Sequence, residues 1–415
     1  MQILISGASI AGPVLAHWLR RYGFAVTVVE RAPGLRKTGG HAVDLFKPAM
    51  EVVERMGVQA EVVSRRTGTE RMIWSRPGRR PMEIEVGRLM RAFSDRHVEI
   101  MRDDLSEIFV EATKHDVEYL YGDSIAALSE DAGGVTVRFE HAGTRRYDLV
   151  IGADGLHSNV RRLVFGEEAG YSHYIGAHLA VVTVPNYPGL TDEALVHAGV
   201  GRLAGLYSAQ HSDAARAVFL WRCPPLGIHH RDVAGQKAAL RAAFADVGWE
   251  VPRIFAELER APAFYFDAIT QLRMDTWTRG RVGLVGDAGY SPGPAVGGST
   301  SLAVVGAYVL AGELAAAGGD HVRGFKNYEA AMIDYVRRSR VFALQAARHL
   351  VPAGRLGLGL QSLVLWLLCR APQRVARAIA GLGETGVHVH DTFALRHYTA
   401  PAPAVAEADV TTGGP

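Results

Sequence analysis

Three carboxylates in this chain stand directly after short apolar runs, at Glu30, Asp154 and Asp287. The last has the richest surroundings, the stretch Arg281 to Leu314. Val282 to Val285 reads as a buried strand, Gly286-Asp287 closes it, and a loop rich in Gly and Pro leads to Ser299. From there Leu302, Val305, Val309 and Leu310 fall on one helical face. A strand, a tight loop with one acid, and a helix whose first N–H groups lack partners make a site for an electron-rich ligand group. Pro292 and Pro294 stiffen the loop, while Gly293, Gly297 and Gly298 let the main chain approach something large and flat.

Glu30 closes a second unit of this kind. Ile3 to Ile5 form a short strand, Gly7-Ala8-Ser9-Ile10-Ala11-Gly12 turns, Pro13 to Tyr22 continues as a helix, and Val26 to Val29 return as a strand before Glu30 and Arg31. Pro13 suits a first helical turn, where its missing N–H costs nothing. This is the dinucleotide fingerprint with Ser9 at the middle glycine position. Gly7 serves the tight turn, Gly12 the close helix packing, and Glu30 a ribose hydroxyl. The Ser9 side chain narrows the approach to a pyrophosphate, but its hydroxyl can donate to one. Asp154 sits in the third unit: Leu149 to Gly152 is a strand, Asp154-Gly155 a turn, and Ser158 to Val164 a short helix with Arg161 and Arg162. Strand ends of open α/β sheets are where such folds bind ligands.

The elements between these units must hold them together. Arg36 to Asp44 reads as a glycine-rich loop with two cations and one acid, and a helix follows from Pro48 to Met56. Val62 to Trp74 and Pro81 to Val86 read as strands. A helix is expected from Val98, with Arg102 near its front, and Val117 to Phe139 alternates like an antiparallel meander. From Tyr171 to Arg273 the texture changes to short strands and two helices, a natural place for substrate recognition. Leu356 to Leu368 is apolar but too short to span a bilayer, so a helix packed between segments is expected and no membrane anchor. PAPAVAEADVTTGGP at the end has the composition of a disordered tail.

Composition narrows the function. With 415 residues, 48% of them apolar, the chain can bury a large core, and a net charge of +2 with scattered arginines gives no argument for nucleic acid or a membrane surface as a partner. Two cysteines, Cys223 and Cys369, exclude a disulfide framework and a closely spaced redox pair. His229-His230 and His388-Val389-His390 lack further ligands at metal spacing, so no metal is expected. Met1 leads straight into an apolar strand, which leaves no room for a signal peptide and makes a cytoplasmic location the expectation.

GASIAG with Glu30, the segment Asp148 to Arg162, and the segment Arg281 to Leu302 stand in an order that resembles the single-component FAD-dependent aromatic hydroxylases, the p-hydroxybenzoate hydroxylase-like flavoprotein monooxygenases. Among these the chain is most similar to compact enzymes acting on polyketides and antibiotics, including tetracycline-inactivating monooxygenases. The resemblance covers nearly everything to about Arg340. It implies an α/β fold: a Rossmann-like FAD-binding domain of the p-hydroxybenzoate hydroxylase type (1–75, 98–170 and 274–340), an inserted β-sheet substrate domain (76–97 and 171–273), a C-terminal helical segment (341–398) and a tail (399–415).

It also implies site residues. Gly7, Ser9, Ile10, Ala11 and Gly12 would hold the FAD pyrophosphate, Glu30 and Arg31 the adenosine ribose end, Arg102 the cofactor, and Asp287 the ribityl chain. Pro294, Gly297, Gly298 and Ser299 would floor the flavin ring. Arg36 and Asp44 would lie near the flavin, Arg36 toward the nicotinamide cofactor, with Asp154 and Arg161 linked to both. The chain carries Tyr290, Gly298 and Ser299 where the family often has His, Gln and Gly.

The implied reaction uses NADPH or NADH to reduce FAD. O2 then forms the flavin C4a-hydroperoxide that hydroxylates an aromatic or polyketide-like small molecule. No catalytic side chain is expected, because the cofactor carries the chemistry. Epoxidation and Baeyer–Villiger oxidation on the same scaffold stay open. Halogenation lacks its WxWxIP motif, and a non-catalytic dinucleotide-binding protein or a membrane-bound prenyl-lipid reductase is a weaker reading. A monomer or weak homodimer is expected.

Overall fold

The computed structural model describes residues 1–35, 40–92, 94–210, 212–229, 231–293, 298–380 and 391–399, with only the backbone at 377, 379 and 380. The chain opens with β1 (Gln2–Ser6), α1 (Ala11–Arg21) and β2 (Ala25–Glu30), followed by β3 (Ala42–Leu45), α2 (Lys47–Arg55) and α3 (Gln59–Ser64). A hairpin, β4 (Arg71–Arg76) and β5 (Arg79–Glu85), leads through α4 (Val86–Met90) to β6 (Val98–Met101) and α5 (Arg102–Glu111). Then come β7 (Glu118–Tyr121), the meander β8 (Ile125–Asp131), β9 (Gly134–Phe139) and β10 (Thr144–Tyr147), then β11 (Leu149–Gly152) and α6 (Asn159–Val164). The next stretch holds β12 (Ser172–Pro185), β13 (Glu193–Gly199), β14 (Arg202–Ser208), β15 (Ala214–Arg222), α7 (Val233–Phe244), α8 (Val251–Glu257) and β16 (Phe264–Leu272). β17 (Thr278–Arg279), β18 (Val282–Leu284), α9 (Asp287–Tyr290) and four longer helices follow: α10 (Ser299–Ala316), α11 (His321–Leu350), α12 (Arg355–Arg370) and α13 (Gln373–Ala380).

The first sheet has the order β17-β18-β11-β1-β2-β7, and all but β17 run parallel. Its middle strands are continuous apolar runs, as a parallel sheet covered on both faces requires: Ile3, Leu4, Ile5, Leu149, Val150 and Ile151 are fully buried. Because β1, β2, β11 and β18 are parallel, Gly7, Glu30, Asp154 and Asp287 all emerge at one end of the sheet. Helix α10 is the central pillar of the core. It is buried on nearly every side from Ser301 to Leu314, and Tyr308 meets Trp18 of α1 edge to face with ring centres 4.8 Å apart.

The second sheet has the order β16-β12-β15-β14-β13-β4-β5. One face carries Ala180, Val182, Phe219 and Trp221 beneath α7 and α8. The opposite face carries Leu179, Val181, Leu220, Tyr265 and Ile269 and looks toward the end of α11.

Several expectations change. Val98–Met101 is a strand rather than the start of a helix: it pairs antiparallel with β3, Ile100 is fully buried, and the helix begins at Arg102. The strand expected from Val62 starts only at Arg71. Gln59–Ser64 is helical because the fully buried Val62 is held in the core from a helix, where packing overrides β-branched preference. Strand β4, assigned from sequence to the first segment, pairs with β13 and β5 in the second sheet. Helix α12 packs on β5 and α4 but leaves one apolar face bare.

Candidate functional site

The three sequence motifs meet at the carboxyl end of the first sheet. Gly7 adopts φ +110°, and a Cβ built there would lie 2.5 Å from the Ala153 carbonyl oxygen, so the fingerprint turn rests on the residue before Asp154. A Cβ on Gly12 would lie 1.9 Å from the Gly7 carbonyl oxygen, which makes this turn as tight as backbone allows. On the other side, a Cβ on Gly286 would touch those of Ala303 and Ala11 at 3.1 and 3.4 Å. Glycine therefore stands where the segments approach each other most closely.

Around this junction the polar groups point inward. Both oxygens of Glu30 accept backbone N–H bonds, from Ala8 at 2.9 Å and Ala32 at 2.9 Å, which fixes the carboxylate beside the turn. Arg102 donates to Ser9 Oγ at 3.1 Å, its one described side-chain hydrogen bond, and Ser106 donates to the Ser9 carbonyl at 3.0 Å. Ser299 Oγ donates to Asp287 Oδ1 at 2.8 Å, joining two predicted site residues across the loop. Gly298 caps α10 in the left-handed conformation at φ +88°. Ile10 caps α1 without a side-chain hydrogen bond, Ala11 is buried, and Arg31 is exposed just past β2. Arg36, Pro294 and Gly297 lie outside the described residues, as do His230, His388, His390 and nearly all of the expected tail.

This arrangement fits a dinucleotide cofactor. Helices α1 and α10 both begin without a side-chain cap and without an acid in the first turn, so backbone N–H groups at both starts are available to a ligand. Arg102 adds a cation with no carboxylate partner among the described residues.

Asp154 and Asp44 are placed differently. Asp154 accepts from Ser158 Oγ at 2.5 Å and from the Asn159 and Val160 N–H groups at 2.9 and 3.1 Å, holding the start of α6. Burial raises its carboxyl above the usual range despite those donors. The buried Arg161 donates to the Ala288 carbonyl at 2.9 Å and to Glu168 at 2.7 Å, so this segment braces the helix that Asp287 opens. Asp44 pairs with His97 Nε2 at 2.7 Å. Burial would lower that imidazole, but Asp44 and Glu99 outweigh it and raise it. Tyr290 is a core residue: its hydroxyl accepts from Tyr328 at 2.9 Å and fills the notch left by Gly306.

Residues that the sequence motifs do not mark close the crevice from the second sheet. Arg216 Nε donates to the Gly40 carbonyl at 3.0 Å, and Tyr207 Oη accepts from the Ala42 N–H at 2.7 Å. The His41 and Tyr265 rings lie 5.3 Å apart, and burial followed by the Arg102 charge pushes His41 down to about 4, leaving it neutral. Tyr265 donates to Asp267 at 3.3 Å, and Asp267 faces His157 Nε2 at 3.6 Å, whose Nδ1 lies 3.1 Å from Glu168. Strand alternation could place Tyr265 and Asp267 on one face, but only the fold brings His157 to them from far along the chain.

Asp267 first, then Glu168, raises His157 to about 10. A group raised in the folded state stabilises fully below its unfolded pKa of about 6.5, and the contribution fades as pH rises through the folded value. His157→Gln should therefore be less stable than the parent, with the gap in urea midpoint widest between the carboxylate range and about pH 6.5. The gap should close toward the folded pKa of about 10. A gap that stays constant over this range would remove the ion pair across the crevice.

Among the described residues no cluster of three or more His, Cys, Asp or Glu could hold a metal. Compared with known proteins, residues 1–330 match the family model described as FAD binding domain. An uncharacterized protein of Mycobacterium tuberculosis is 45% identical over 340 residues, 81% of this chain and 91% of its own. A flavin-dependent monooxygenase of Legionella longbeachae is 39% identical over 344 residues, 83% of this chain and 88% of its own. The solved tetracycline destructase Tet(51) is similar with a TM-score of 0.79 at 32% identity, covering 96% of this chain and 99% of that one.

Proposed function

The chain belongs to the FAD-binding domain family, and from that premise we propose that it is an FAD-dependent monooxygenase using NAD(P)H and O2 to hydroxylate an aromatic or polyketide-like small molecule. The observation that carries this reading is the meeting of the fingerprint turn, Asp287 and the uncapped start of α10 at one sheet end. The relationship to the Legionella enzyme and the likeness to a tetracycline destructase support the reaction and a polycyclic substrate class.

FAD, once reduced by NAD(P)H, supplies the oxygen-transfer chemistry with O2. The chain's own residues bind and orient. The turn Gly7 to Gly12 and Arg102 receive the pyrophosphate, Glu30 the ribose hydroxyls, and Asp287, held by Ser299, the ribityl chain. The α10 N-terminus would favour negative charge on a cofactor group held beside it. Asp44 would lie near the flavin, and Asp154 and Arg161 would act on the cofactors through the helices α6 and α9 that they brace. The second sheet, whose Arg216, Tyr207, Tyr265 and Asp267 close the crevice, would supply the substrate side. Two free thiols, Cys223 and Cys369, suit a reducing cytoplasm, and a monomer or weak homodimer suffices for the reaction.

The test is a screen of phenols and polyketides for stimulated NAD(P)H oxidation, with product mass checked for one added oxygen. A colourless protein without affinity for FAD would defeat the proposal. Glu30→Ala should weaken FAD binding by roughly ten- to hundred-fold, since charge-assisted bonds to a ribose are worth about 1.5–3 kcal/mol. A fluorescence titration giving the parental Kd would move the ribose elsewhere.

A further inference from the structure

Helix α12 is apolar on two faces. Leu358 and Leu368 point into the protein, 9% and 4% exposed, against the cluster that includes Trp74 and Ile84. Leu356, Leu360 and Leu363 are 93%, 61% and 51% exposed, and the spacing of these three positions puts them in one stripe. Leu367 continues the stripe. Trp366, 40% exposed, flanks it, and the Arg370 guanidinium lies 5.2 Å from the Trp366 ring centre. An exposed run of large side chains on one helix marks a contact surface rather than ordinary scatter.

The surroundings carry positive charge. A groove of about 540 Å³ between α12 and the edge strand β5 is lined by Arg79, Arg80, Leu363, Trp366 and Arg370, among others. Glu83 is the acid in that groove, while nearby Glu85 is already paired with Arg91 at 3.4 Å. A second copy meeting this face across a two-fold axis would set like charges against each other. A bilayer with anionic headgroups satisfies leucines, tryptophan and arginines together. Sixteen residues rise only about 24 Å, so the helix is too short to cross and would lie in the plane of the surface.

We propose that the outer face of α12, with Arg79, Arg80 and Arg370, docks the protein on an anionic lipid surface. Leu360 and Leu363 enter the headgroup–acyl boundary, Trp366 sits at its level, and the arginines hold the headgroups. This contact is peripheral and independent of the reaction catalysed.

The experiment is co-sedimentation of the full FAD-loaded chain with phosphatidylcholine vesicles, with and without phosphatidylglycerol, over a range of salt. Parental protein should pellet with the phosphatidylglycerol vesicles, less at high salt, and only weakly with phosphatidylcholine alone. L360E/L363E should lose binding more than tenfold with unchanged flavin absorbance and thermal midpoint, which the exposure of both side chains makes possible. R79E/R80E should lose binding only to the anionic vesicles, at least five-fold per arginine. Three results would overturn the proposal: no pelleting of the parent, equal pelleting with both vesicle types, or parental binding by L360E/L363E. A parental dimer in light scattering that L360E splits would also overturn it, by assigning the face to a second copy.

Discussion

Gly12→Ala should emerge from purification depleted of flavin, with its secondary structure intact and its affinity for added FAD at least about five-fold weaker. A methyl group at this position would lie 1.9 Å from the Gly7 carbonyl oxygen, and neither can rotate away because one is backbone and the other is fixed by it. Gly7 is itself pinned, its N–H donating to Val29 at 2.8 Å and its carbonyl sitting in a turn with φ +110°. Relief requires α1 to withdraw from β1, which carries the N–H groups of the helix start away from the phosphates. Overpacking of this kind costs about 1–3 kcal/mol, or roughly five- to 150-fold if it falls entirely on cofactor affinity. Gly248→Ala is the control, since a methyl group there meets nothing within 4 Å. Parental flavin content in Gly12→Ala would mean that the turn does not cradle the cofactor.

Asp287→Ala should damage two things at once, cofactor retention and coupling. The carboxylate is held by Ser299 Oγ at 2.8 Å, at the start of a short helix braced from behind by Arg161. Losing a charge-assisted bond to the ribityl chain costs about 1.5–3 kcal/mol in binding, roughly ten- to hundred-fold. A flavin displaced by about an ångström should also deliver oxygen poorly, because reactive geometry is strict. Saturated with FAD, the variant should still oxidise NAD(P)H but release more hydrogen peroxide per hydroxylated product. Ser299→Ala, which keeps the charge and frees its position, should show the coupling defect with a smaller loss of affinity. Parental affinity and coupling in Asp287→Ala would place the flavin elsewhere.

Local signals made the sheet end legible. A strand, a glycine turn and an acid are encoded within a few residues, so Gly7, Glu30, Asp154 and Asp287 could be placed at strand ends from spacing alone. What spacing leaves open is where a side chain spends its hydrogen bonds. Asp154 has the same local pattern as Asp287, yet its oxygens cap α6, while Asp287 keeps a single described side-chain partner. Val62 and Val98 depart from the local expectation for related reasons. Each lies in a short apolar run, and only a distant partner decides between strand and helix: β3 for Val98, the core beneath α3 for Val62. The crevice wall formed by Arg216, Tyr207, Tyr265 and Asp267 is invisible to any window, because its partners at Gly40, Ala42 and His157 come from far along the chain. Helix α12 is legible from its apolar run, but an apolar run does not say which of its faces the fold covers, and Leu356, Leu360 and Leu363 stay exposed.

The order β17-β18-β11-β1-β2-β7 also sets the timetable on which this chain can fold. β1 finds β2 within thirty residues, but its other neighbour is β11, and β11 waits for β18 at residues 282–284. The pillar α10, which covers these strands, is made later still. As the ribosome delivers the chain in order, the apolar faces of β1 and β11 must wait without their final cover until about three-quarters of the protein has emerged. Long-range parallel pairing is slow to form and exposes aggregation-prone surface in the interval. The cofactor crevice therefore cannot close before α10 is made, and a nascent chain stopped before Ser299 should leave apolar sheet surface exposed rather than form a small flavin-binding domain.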